Sequence, residues 1–491
     1  MLLNRFLGRS QRLKIKSLNI LYVHGEGTEK LKTGSREPSG TTGIVESNKY
    51  FDAVSKATDY LISQICINGY ISASLADDRY DPHWIRDSSW VAVALLEYAN
   101  FAKGKVRNAD TAKEAATRII DFNLAAIDKF SRDIRSIKNM SFSDPNFFNL
   151  SHHLPARVGR SGNFYFSNFN PEDSIVDASK KITDDSEQIG VNKSWLIQYD
   201  TIPLVLYSLN EKSKLFDLNR FEIDFLKNLT RDIAEYMAKV YTTECASAWV
   251  TDSDKSHAYD VAAIYAGFES LKELSKKYKK YDLGISPEEI EEIEEKGNGL
   301  FFGGPLEFLK QFFVRDNILY SEKEPFKEPL KQVDASEIFI FLNFGISGSL
   351  LGNEEIENNT ISKMEKELFD GNKLPIRFKG DTYFMGGRWL PLGLAFAEYY
   401  IKKGLYEKGV AILDYVIDNY NGSYPEQEIV NPASNIDQNG YYEQNGNQPI
   451  QKFAWSYAAV ITASLELLHS PTAEQAIKVA ARKAIKVAAR K

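Results

Sequence analysis

Apolar residues recur every three or four positions along most of this chain. Phe51, Val54, Ala57, Leu61 and Ile65 would share one face of a helix. The same spacing predicts helices over 88–103, 110–130, 194–209, 219–242, 257–278 and 286–296. It predicts more over 334–349, 359–369, 389–403, 405–420 and 453–468. Ser286-Pro287-Glu288-Glu289 signs a helix start, with Ser as cap, Pro at the first helical position and Glu at the third. Gly404 separates two helices. The pattern gives about twelve helices and no paired strands, hence an all-α fold.

Both ends read differently. Residues 1–47 are expected to form a short extended arm: 13–16 alternate, 19–23 have strand composition, and 25–43 are polar and Gly-rich. The helical body is expected over 48–470. Within it, the irregular stretch 140–190 is too long for a plain connector and reads as a functional loop. The tail, 471–491, contains the octapeptide 476–483 repeated without change as 484–491. That repeat is Ala-rich, helix-favouring and purely basic, which suits either docking on an acidic partner or a simple helix extension.

Composition narrows the function classes. The 491 residues are 43% hydrophobic and 26% charged, as in globular proteins. A net charge of −7 exerts no general pull on nucleic acid. Cys66 and Cys245 are too few for a disulfide framework or a zinc site, and the six histidines are scattered. Hence neither metal nor cofactor is expected. No apolar run fits a signal peptide or the roughly 18–20 residues of a membrane span, so the expected location is cytoplasmic. The 26 Tyr, 29 Phe and 6 Trp first imply a large core; aromatic faces also stack on sugar rings.

Four polar-aromatic clusters each lie in a loop ahead of a predicted helix. They are Trp84-Ile85-Arg86-Asp87, Trp195 with Gln198-Tyr199-Asp200, Arg377 with Asp381-Thr382-Tyr383 and Trp389, and Tyr424-Pro425-Glu426-Gln427 followed by Phe453-Ala454-Trp455-Ser456-Tyr457. An Arg-Asp pair beside a Trp offers a sugar donors, an acceptor and a stacking face. Each cluster alone also reads as structural, Asp87 for instance as a helix cap. In a closed ring of helical hairpins, loops of this kind converge on one end.

In this order, the segments resemble those of glycoside hydrolase family 15, the glucoamylase family. Trp84-Ile85-Arg86-Asp87 resembles its Trp-x-Arg-Asp, and Gln198-Tyr199-Asp200 its Gln-x-Asp. The stretch from Arg377 to Trp389 resembles its Arg-Tyr-x-x-Asp-Thr-Tyr…Trp. Glu426-Gln427…Trp455-Ser456-Tyr457-Ala458-Ala459 resembles its Glu-Gln…Trp-Ser-Tyr-Ala-Ala. The likeness covers about residues 50–468. It implies an (α/α)6 toroid of the six-hairpin glycosidase type. It also implies inverting, exo-acting hydrolysis of an α-glucoside: a glucan, a maltooligosaccharide or trehalose. Glu426 then matches the general base. Arg86, Asp87 and Arg377 match groups gripping the terminal glucose, and Trp84, Trp249 and Trp455 match aromatic positions near that pocket.

One position departs from the pattern. The family's general acid follows a Trp, and the residue after Trp249 is Val250. Inversion needs two carboxyls, one to protonate the leaving oxygen and one to activate water. Asp252, two residues on, is a candidate substitute acid, as is a carboxylate of the 140–190 loop such as Asp173 or Asp177. The alternative is a pseudoenzyme on the same fold, a sugar-binding or regulatory protein that docks a protein partner through its basic tail. The oligomeric state is not encoded in these motifs.

Overall fold

The computed structural model describes residues 42–74, 83–104, 108–141, 157–158, 164–165, 198–243, 245, 255–297, 302–323, 329–330, 332–381, 386–428 and 450–470. The sequence expectations for 1–41, Asp173, Asp177, Trp195, Trp249, Val250, Asp252, Thr382, Tyr383 and the tail 471–491 lie outside the described residues.

The helices alternate between apolar and amphipathic. The first, α1 (Thr42–Gln64), begins inside the segment read as the arm. It is followed by α2 (Ile85–Ala102), α3 (Ala109–Lys129), α4 (Ser131–Asn139), α5 (Thr201–Leu215), α6 (Arg220–Val240) and α7 (Ala258–Lys277). Then come α8 (Pro287–Lys296), α9 (Pro305–Phe312), α10 (Ile338–Leu342), α11 (Glu355–Met364), α12 (Leu390–Lys402), α13 (Tyr406–Tyr420) and α14 (Ala454–His469).

Six of these form a closed inner ring. Helix α2 packs on α5, α5 on α7, α7 on α10, α10 on α12, α12 on α14, and α14 back on α2. Their composition explains the placement. In α12 every residue from Leu390 to Ile401 is buried, so no face is left for water. Each fully buried large apolar side chain there contributes roughly 1.5–3 kcal/mol. The outer helices carry one apolar stripe each. Helix α6 buries Ile223, Leu226, Thr230, Ile233 and Met237, at three- and four-residue spacing. Each inner helix follows an outer one in sequence, which gives the six hairpins of an all-helical toroid.

Local signals set many boundaries. The Ser286 hydroxyl accepts from Glu289 N at 3.1 Å and Glu289 Oε2 accepts from Ser286 N at 2.9 Å, the expected start of α8. Asn219 and Glu222 cap α6 in the same reciprocal way. The structure also corrects several readings. Helix α5 starts at Thr201 with Pro203 in its first turn, and it runs on to Leu215 because Lys212 and Ser213 are buried, which their polarity hid. The helix expected over 334–349 is only a 3-10 turn, Ala335–Glu337, plus α10; Gly345, at φ 72°, follows its end. Helix α9 was not anticipated, its eight residues being too short for a periodic signal.

The expectation of no paired strands fails at small scale. Two-residue strands form short antiparallel ladders: β1 (His83–Trp84), β2 (Arg157–Val158) and β3 (Phe164–Tyr165) make one. Another is β4 (Ser256–His257) with β7 (Glu322–Lys323) and β8 (Pro329–Leu330). Strand β5 (Val314–Arg315) pairs with β6 (Ile318–Leu319), and β9 (Arg388–Trp389) with β10 (Gln427–Glu428). Two residues carry no alternation to detect. The ladders lock the loops that feed α2, α7 and α12. Among the described residues, no helix is long and apolar enough to cross a membrane.

Candidate functional site

The starts of the inner helices meet at one end of the ring. Arg86, the second residue of α2, donates from NH1 to Oδ2 of Asp200, just ahead of α5, at 3.2 Å. Tyr259 and Asp260 open α7. The Tyr259 ring meets Phe339 of α10 edge-on at 6.2 Å. Phe339 in turn stacks on Trp455 of α14 at 5.7 Å and on Trp90 of α2 at 5.1 Å. These contacts link the opening turns of α2, α7, α10 and α14. The other ends of the same helices carry Glu97, Glu211, Glu398 and Glu466, where burial and then Glu398 push Glu97 up to about 8.

Of the predicted segments, the described residues around Trp84, Asp200, Arg377, Glu426 and Trp455 lie at or just ahead of inner-helix starts. Trp84 is the residue before α2, 7% exposed, and its backbone pairs with Arg157, so the 140–190 loop reaches the site through β2. Beside Trp84, His83 is fully buried: Nδ1 accepts from Ile71 N at 3.0 Å and Nε2 lies 2.7 Å from Asn123 Oδ1. An imidazole that accepts at Nδ1 must carry its proton on Nε2, so it donates to Asn123. Burial lowers its pKa to about 4, which keeps it neutral. His83 therefore fixes the approach to Trp84 and Arg86.

Arg86 and Asp87 are both buried, with Nε to Oδ1 at 3.5 Å. Burial raises the Asp87 carboxyl to about 6, against the pull of Arg86. Arg377 is held by Asp381 through two parallel bonds, and its guanidinium covers Trp389 at 5.1 Å. Its carbonyl accepts from Ala335 N at 2.7 Å, which ties this loop to the start of α10.

Glu426 is 2% exposed and held by backbone on both sides. Its N–H donates to Ile450 O at 2.8 Å, and its carbonyl accepts from Leu390 N, the first residue of α12, at 3.1 Å. The β9–β10 ladder sets this register, with Gln427 opposite Trp389. A Cβ at Gly387 would overlap Gln427 Oε1 and crowd the Glu428 carbonyl, so a larger residue there would displace the buried Gln427 side chain. Ser456, in the first turn of α14, donates to Pro425 O at 2.6 Å, joining the Glu426 and Trp455 segments.

The structure thus gathers Trp84, Arg86, Asp87, Arg377, Glu426 and Trp455 on the segments that lead into one end of the ring. The parallel helix starts supply partial positive charge there, which stabilises carboxylates in the first turns. The sequence reading passed over Tyr259, Asp260 and Trp90. The detectable signal for Asp260 is a lone carboxylate in the otherwise apolar run Ala258-Tyr259-Asp260-Val261-Ala262.

No protein-family model matches this sequence, and no curated protein does. Solved structures do. One, a wild-type glycosidase, aligns over 87% of this chain and 99% of its own, with TM-score 0.63 and 16% identity. A glycosidase variant in complex with glucose aligns over 86% and 98%, with TM-score 0.63 and 16% identity. The glucoamylase from Saccharomycopsis fibuligera aligns over 89% and 96%, with TM-score 0.55 and 13% identity. At these identities the likeness speaks for architecture alone: the chain has the all-helical toroid fold seen in solved glycosidases and glucoamylases.

Proposed function

We propose that this protein is a glucoamylase-like carbohydrate-active protein that takes the end of an α-glucoside into the mouth of the ring. The observation that carries this reading is the set of polar groups assembled there. Arg86, at the start of an inner helix, and Arg377 and Glu426, on loops ahead of inner helices, are all buried, and each arginine is held by a buried carboxylate. Two preoriented guanidiniums suit the hydroxyls of a terminal sugar. Trp84, Trp249 and Trp455 are assigned as the aromatic contacts.

In this reading Glu426 is the general base of an inverting hydrolysis. It takes a proton from water, which attacks the anomeric carbon as the glycosidic C–O bond breaks. The leaving oxygen needs a proton from a second carboxyl about 6.5–9.5 Å away. Val250 has none to give, and Asp252 is the proposed substitute. Loss of a general acid typically forfeits a factor of about 10²–10⁴. Val250 also supports a second reading, in which the same site binds sugar without turnover and the basic tail docks a protein partner.

Glucose release from maltotriose and trehalose, with Glu426→Gln as the control, separates the two. Release that disappears in the control supports the hydrolase. Binding of maltotriose without release supports the binding protein. Absence of both binding and release from the folded protein refutes the sugar site.

A further inference from the structure

The mouth of the ring holds more carboxylate than cation. Arg86 NH1 is 3.2 Å from Asp200 Oδ2, and Arg86 Nε is 3.5 Å from Asp87 Oδ1. Asp260, in the first turn of α7, is a third carboxyl facing this pair, and it is 2% exposed. Neither of its oxygens receives a hydrogen bond of ordinary geometry among the described residues, although the weakly donating Cys245 thiol and the Asp260 backbone N–H lie beside them. The ionisable groups facing it there are Asp200, Arg86, the Cys245 thiol and the neighbouring Tyr259 phenol. Burial keeps both the thiol and the phenol protonated, so Arg86 is the one cation among them.

With every acid ionised, three buried carboxylates would surround one guanidinium. An unpaired buried carboxylate costs several kcal/mol, and a proton removes that cost. Asp87 and Asp200 both contact Arg86, so the excess falls on Asp260. We propose that Asp260 is a positioning residue that carries a proton at neutral pH, leaving the Arg86 guanidinium to Asp200 and Asp87 and free of a third claim. Its sugar-facing consequence rests on the proposed role of Arg86. Burial and the nearby Asp200 push the Asp260 carboxyl well above the usual range, outweighing Arg86.

The sign of the pH effect follows. The unfolded chain releases this proton near the ordinary Asp value of about 3.9. The folded protein retains it, so stability falls as pH rises through the interval above that value. Asparagine, a neutral shape match, removes this contribution.

The test compares wild type, Asp260→Asn and Asp200→Asn by denaturant unfolding across pH, with calorimetric titration of maltotriose on the same proteins. Asp260→Asn is expected to match wild type near pH 4 and to become increasingly more stable than it as pH rises. Asp200→Asn is expected to be clearly destabilised, because it weakens the partner of a buried Arg86. A parallel readout needs no variant to fold: infrared spectra of wild type with isotope-labelled aspartate should show a protonated carboxyl band at about pH 8, where Asp87 is ionised. Absence of that band, or an equal loss of stability in both Asn variants at neutral pH, would overturn the proposal. Wild type that shows the band but binds no maltotriose would refute the sugar site while leaving the Asp260 proton in place.

Discussion

Arg377 meets Asp381 with two parallel bonds, Nε to Oδ2 at 2.7 Å and NH2 to Oδ1 at 2.6 Å, one helical turn apart in sequence but in a loop. This fork-to-fork contact fixes the plane of the guanidinium, and Trp389 supports its face at 5.1 Å. Lysine keeps the charge but cannot form the fork or stack in plane. Arg377→Lys is therefore expected to weaken maltotriose binding by roughly 1.5–3 kcal/mol, the value of a charged hydrogen-bond set. Titration calorimetry reads this directly; unchanged affinity would remove Arg377 from the sugar site.

The proposed roles of Glu426 and of the position after Trp249 make a prediction in the opposite direction. Val250→Glu places a carboxyl at that position. Maltotriose hydrolysis should rise by about 10²–10⁴ if that position is the acid. The gain should vanish when Glu426→Gln is added, because acid and base act on one transition state. A folded Val250→Glu protein with unaltered turnover would show that the acid is supplied elsewhere.

The fold was largely legible because its signals are local. Apolar spacing located most of the ring, and the Ser286–Glu289 cap placed α8 to the residue. The two-residue ladders were not legible, since His83–Trp84 and Gln427–Glu428 are strands only through distant partners. The segments that open the inner helices were readable where a motif carried them, as at Arg86 and Glu426. Asp260 escaped because it lies in the first turn of a helix, between apolar neighbours, and its meaning depends on Asp200, sixty positions earlier. Lys212 escaped for a related reason: a lysine predicts a solvated face, yet this one is buried against Glu222.

That Lys212–Glu222 pair yields a stability prediction. Lys212 Nζ donates to Glu222 Oε1 at 2.5 Å, and Glu222 also caps α6 through Asn219 N at 2.7 Å. Lys212→Ala leaves a buried carboxylate without its cation and is expected to cost about 3–5 kcal/mol. Lys212→Met with Glu222→Gln removes both charges while keeping bulk, and should recover most of that loss. Denaturant unfolding of the single and double variants measures the coupling; additive losses would show that the pair acts independently.

His83 is expected to contribute to the loss of stability in acid. Its ring is buried with a pKa lowered from 6.5 to about 4, the cause being burial, partly offset by Asn123. The unfolded chain takes up the proton first as pH falls. Its stabilising contribution is thus fully present above about pH 6.5 and is lost progressively down to about pH 4. A shift of this size corresponds to about 3 kcal/mol. His83→Gln, which keeps an amide able to face Asn123 but does not titrate, should be less stable at neutral pH and show a shallower decline between those limits. Parallel unfolding curves for the two proteins across pH 4–7 would assign the acid sensitivity to other groups. A flattened curve would identify the imidazole that anchors Trp84 and Arg86 as the residue through which acid loosens the mouth of the ring.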